Sequence, residues 1–112
     1  MLSTTTLLAL IIATRNSEIK YSEYLETQAN NACVKMVKRE HNKKLLTKLT
    51  DRYIFAGENL GFDYDDENSL IDAFMNSEKH KKIQTSKLYN EIGIGQCKNP
   101  AGKTTVFLYG RK

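Results

Sequence analysis

Apolar residues along this chain first recur at helical spacing and later alternate as in strands. Leu7, Leu8, Ile11 and Ile12 share one face of a helix expected over 4–15, with Ser3 or a neighbouring threonine as cap and Asn16 as its end. Leu25, Ala29, Ala32, Cys33 and Met36 follow i, i+4, i+7, i+8, i+11, which predicts a helix over 22–38 capped by Ser22, with Cys33 facing the core. The basic stretch 39–52 carries Leu45, Leu46 and Leu49 inward and predicts a turn and a short helical piece. Residues 53–68, "YIFAGENLGFDYDDEN", read as a compact connection with two glycines. Asp65, Asp66 and Glu67 then lead into a helix over 67–80, where first-turn acids suit the positive end of the helix dipole. Its buried stripe is Leu70, Ile71, Phe74 and Met75, and His80 falls at its C-terminal end. Residues 91–98 and 103–110 read as strands joined by the "NPAG" turn at 99–102. Helices followed by a C-terminal hairpin imply a layered α+β domain.

At 112 residues the chain is expected to be one domain, 1–112, with a single core. Hydrophobic residues at 40% and charged residues at 27% fit a globular protein. The run "LLALIIA" at 7–13 has no preceding basic residue and no cleavage site after it, and is far shorter than the roughly 20 apolar residues of a membrane span. It reads as a buried first helix, not as a signal peptide or transmembrane segment. A net charge of +4 names no anionic partner by itself. Lysines 43, 44, 48, 79, 81, 82 and 87 are offset by the acidic stretch 63–67, and no nucleic-acid-binding signature accompanies them. Cys33 and Cys97 fit either one disulfide or two buried thiols.

Five short motifs occur in one order: His41; Gly57-Glu58-Asn59; Phe74 with Ser77 and His80; Tyr89 with Ile92-Gly93-Ile94-Gly95; and the strand Val106 to Tyr109. In this order they resemble the CAP superfamily of cysteine-rich secretory, antigen 5 and pathogenesis-related proteins. The domain is also called the SCP domain, and the pattern is most like its short bacterial branch. There a histidine follows the second helix, then "GEN", an aromatic-led "W-x-x-S-x-x-H", "Y-x-x-I-G-V-G" and a final aromatic strand. The resemblance spans residues 7–109, and none of its pieces is specific alone. It implies a three-layer α-β-α sandwich around a small antiparallel sheet, with Gly93 and Gly95 letting helices sit tightly on the sheet.

The resemblance also implies a cleft where His41, Glu58 and His80 converge. Two imidazoles and a carboxylate suit Zn²⁺ or another divalent metal, with a fourth position open. Otherwise Glu58 would hydrogen-bond the histidines and backbone amides and brace a polar cleft. Many family members add a second glutamate where this chain has Ser77, which would weaken a metal site. No aromatic-rich segment matches the sterol-binding loop of some members. A histidine and a glutamate can do acid–base work, but no nucleophile is clearly poised, and Cys33 on its apolar face reads as structural. The expected function is therefore a non-enzymatic, secreted or surface-exposed binding module for a metal, lipid or peptide. The alternative is a metal-dependent, protease-like hydrolase using water bound at His41, Glu58 and His80. Since the family is mostly exported, Cys33 and Cys97 are expected to be bridged. Any export or anchoring signal is expected outside these 112 residues. The expected partner is an extracellular ligand, such as a host protein, a polyanion or a lipid, and not nucleic acid. The chain is expected to be monomeric.

Overall fold

The computed structural model describes residues 1–112. In chain order the elements are α1 (Thr4–Ala13), β1 (Lys20–Tyr21), α2 (Glu23–Lys35), α3 (Lys43–Leu49), β2 (Phe55–Phe62), α4 (Glu67–Met75), α5 (Glu78–Thr85), β3 (Glu91–Asn99) and β4 (Gly102–Arg111). The sheet order is β1-β3-β4-β2. As expected, β3 and β4 are antiparallel neighbours; β2 pairs antiparallel with the other side of β4. The sheet is mixed and not wholly antiparallel, because the two-residue β1 runs parallel to β3.

Period-two alternation along β4 divides the interior into two cores. Phe107 and Tyr109 join Leu7, Ile11, Leu70, Ile71, Phe74, Ile92 and Ile94 beneath α1 and α4. Val106 and Leu108 join Leu25, Ala29, Cys33, Met36, Leu49, Tyr53 and Leu60 beneath α2 and α3. This is the three-layer sandwich. Each large core of an α-β-α fold needs the sheet apolar on both faces, and β4 supplies that.

The alternating isoleucines and glycines of β3 serve the two layers differently. Ile92 and Ile94 enter the α1/α4 core, while Gly93 and Gly95 face α2. A Cβ on Gly93 would stand 2.2 Å from the Glu26 amide nitrogen, and one on Gly95 would stand 2.5 Å from that of Asn30. Helix α2 therefore lies with its backbone directly on the strand. Cys33 and Cys97 close a disulfide across the same interface, with Cα atoms 6.0 Å apart.

Several boundaries differ from the sequence reading; the helix expected over 22–38 is α2, Glu23–Lys35, with Met36 already extended, and β1 was not expected. Helix α1 stops at Ala13, and Ile12 is exposed while Leu7 and Ile11 are fully buried. The glycine-containing connection is an eight-residue strand, β2, paired with β4 along its whole length. Its low strand propensity is overridden because Gly57 to Gly61 lie buried between the layers. The helix expected over 67–80 is two helices, broken at Asn76 and Ser77. The Asn76 side chain donates back to the Asp72 carbonyl, a local bond that competes with helix continuation. His80 therefore lies in the first turn of α5 and not at the end of a helix.

Candidate functional site

The site is built on β2, the edge strand. Glu58 and Asn59 are consecutive, so the pleat sends them to opposite faces of the sheet. Glu58 is 2% exposed. Its Oε1 accepts from the Asn42 backbone N–H at 3.1 Å and lies 2.9 Å from His41 Nδ1. Asn42 in turn caps α3 by accepting from the Leu45 N–H. One carboxylate thus fixes the connection between α2 and α3 and presents His41, whose side chain remains half exposed. The other carboxylate oxygen, Oε2, is buried without a partner in the protein.

On the opposite face, Asn59 donates from Nδ2 to the His80 backbone carbonyl at 3.0 Å. The His80 ring lies parallel to the Phe74 ring with centroids 4.7 Å apart. Its Nδ1 is 2.7 Å from Ser77 Oγ. Ser77 is also the N-cap position of α5, three residues before His80. The contact therefore belongs to one helical turn and orients the ring. Burial first, and the neighbouring His41 second, hold His80 below the usual histidine pKa. Its ring is neutral at neutral pH, with one nitrogen donating and one accepting.

A cleft of about 400 Å³ joins these parts, lined by His41, Leu60, Phe62, Phe74, Ser77 and His80 among others. Leu60 lies on the α2/α3 face and Phe74 on the α1/α4 face. The cleft therefore lies along the unpaired edge of β2, which it reaches at Leu60 and Phe62. His41, Glu58, His80 and Ser77 are all brought to this region, although Glu58 comes from a strand and His80 from a helix start. Asn59 was assigned no role from sequence. The pleat that sends Asn59 to the layer opposite Glu58 comes with β2, which the sequence reading took as a connection.

The donor types suit a divalent metal, but their placement does not form a ready site. No group of three His, Cys, Asp or Glu side chains gathers within ligand reach. Glu58 Oε1 is already shared by His41 and Asn42.

No family model and no curated protein matches the chain in sequence. Solved structures do match in fold. An outer surface protein of Borrelia burgdorferi superposes with a TM-score of 0.80 at 18% identity, covering 96% of this chain and 91% of that one. A cysteine-rich secretory protein of Staphylococcus aureus gives 0.79 at 20% identity over 96% of this chain. An extracellular SCP-domain protein of Bacillus anthracis gives 0.65 at 17% identity over 84%. This chain spans only 38% and 34% of the latter two. The fold is that of the SCP, or CAP, domain. No helix is long and apolar enough to cross a membrane.

Proposed function

We propose that this chain is an extracellular or surface-exposed binding module and that its ligand site is the cleft along the edge of β2. The observation that carries this reading is the joint anchoring of both cleft walls to one strand. Glu58 holds the His41 connection, and Asn59 holds the start of α5 that bears His80. Such an arrangement presents preset polar groups beside apolar Leu60, Phe62 and Phe74, which is the composition of a ligand site. An extracellular location is supported by the disulfide, which persists in oxidising compartments. The names of the structural neighbours, an outer surface, a secretory and an extracellular protein, point the same way.

The reading is non-enzymatic. The Ser77–His80 contact has the components of a nucleophile and base, but the carboxylate of the site pairs with His41 instead of orienting His80. Divalent metal enters as a weak ligand, because one Glu58 oxygen is shared by His41 and Asn42 and the other is buried.

The test is a screen of peptides, phospholipid micelles, sulfated polysaccharides and divalent ions by thermal shift. It is run on the wild type and on a His41→Ala/His80→Ala double variant. At least one ligand is expected to stabilise the wild type and not the double variant. A panel whose binders all ignore the double substitution overturns the reading.

A further inference from the structure

The edge of β2 carries unused backbone hydrogen-bonding groups, and two of its residues, Leu60 and Phe62, line the cleft. The Asp63 N–H donates to the Lys103 carbonyl at 2.8 Å, in line with the β2–β4 register that pairs Phe62 with Thr104. In an antiparallel ladder, alternate residues turn both backbone groups toward the partner strand. Residues 57, 59, 61 and 63 therefore face β4, and Ala56, Glu58, Leu60 and Phe62 face away. The other side of the ladder agrees, because the Gly110 carbonyl accepts from Asn90 and so points towards β3. None of the outward N–H and C=O groups of these four residues is bonded within the chain.

Edge strands are ordinarily blunted by lysine, by proline or by shortness. β2 is eight residues long, contains no proline, and its only charge, Glu58, is turned inward. The cleft walls offer another protection: they cover the edge at Glu58 and leave only Leu60 and Phe62 at the cleft. The outward groups of Leu60 and Phe62 lie two residues, about 7 Å, apart, which is the repeat of an extended peptide backbone. A hollow adjoining the cleft at His41 is lined by Lys35, Lys38, Lys43 and Lys44, with Glu40 the only acid.

We infer that the cleft binds an extended acidic peptide segment of a partner protein by strand addition to β2. The Leu60 and Phe62 backbone groups pair with the peptide, its apolar side chains enter beside Phe74, and its acids meet the lysines. This inference rests on the cleft being the ligand site and names the ligand class.

The experiment selects a phage-displayed library of linear dodecapeptides on the intact chain and synthesises the best binder. The binder is then remade with a single backbone N-methyl group at each position in turn. Strand addition predicts that affinity falls about tenfold at every second position and changes little between them. It also predicts that the Leu60 and Phe62 amides exchange about tenfold more slowly with peptide bound. A binder that moves the His80 ring resonances but shows neither pattern leaves the cleft as a ligand site and overturns strand addition. Selection of no acidic binder, or pairing of β2 with a second copy of the chain in solution, overturns it as well.

Discussion

Glu58 and Asn59 are neighbours on one strand, yet they anchor opposite walls of the same cleft. Glu58 takes the Asn42 N–H and His41, and Asn59 gives to the His80 carbonyl. Both are nearly fully buried. Asn59→Ala removes one buried hydrogen bond and is expected to cost about 1 kcal/mol. Glu58→Ala leaves the Asn42 N–H without its acceptor and should cost about 1–3 kcal/mol. Urea unfolding of the two variants checks the order. Equal, negligible losses would show that the cleft walls stand without this strand.

The Cys33–Cys97 bridge links residues 64 apart in sequence. In the chain-entropy model a loop of that length adds about 4 kcal/mol. Cys33→Ala/Cys97→Ala is expected to lose much of that, and the denatured, unreduced wild type should show no free thiol. Two titrating thiols would contradict the bridge.

Gly93→Ala tests the closeness of α2 to the sheet. The new methyl would meet backbone of Glu26 and Leu25, not a flexible side-chain end. Overpacking of this kind typically costs about 1–3 kcal/mol, and a backbone neighbour places this site at or above that range. Gly95→Ala meets the Asn30 and Ala29 backbone and should behave alike. Thermal unfolding of each single variant decides it, and a wild-type melting temperature in either would refute the packing argument.

The glycine pattern was legible because alternation with isoleucine left one face of β3 without side chains. The helix stripes were legible for a similar reason: Leu25, Ala29, Ala32, Cys33 and Met36 all proved buried. The positions of Glu58 and His80 were recovered, but their elements were not. "FAGENLGF" has neither the β-branched residues nor the alternation of a half-buried strand, and its pairing comes entirely from β4, more than forty residues later. The break at Asn76–Ser77 contains neither proline nor glycine, so punctuation by residue type did not reveal it. Which side chains meet across β2 depends on layers set by distant contacts, and that left the Asn59 link unseen.

Zinc is expected to bind weakly and through His80. The ring is neutral at neutral pH and therefore able to donate a lone pair, while Glu58 is already committed to His41. Calorimetry should give shallow binding for the wild type and none for His80→Ala, with the fold retained because His80 is only half buried. Equal binding by both proteins would place any zinc elsewhere.

The last expectation concerns acid. The folded-state pKa of His80 is lowered, by burial first and by His41 second. Between that value and the ordinary 6.5 the unfolded chain binds more protons at this position than the folded chain does. Stability contributed here is therefore intact above about pH 6.5, falls as pH drops through that window, and levels off below the folded pKa. Protonation would also place a charge between Phe74 and His41, where the neutral ring now stacks. His80→Gln removes the titrating group and should flatten this part of the stability–pH curve. Urea midpoints from pH 8 to pH 5, wild type against variant, measure the difference. A difference that is constant across the range would mean that His80 titrates alike in the folded and unfolded chains.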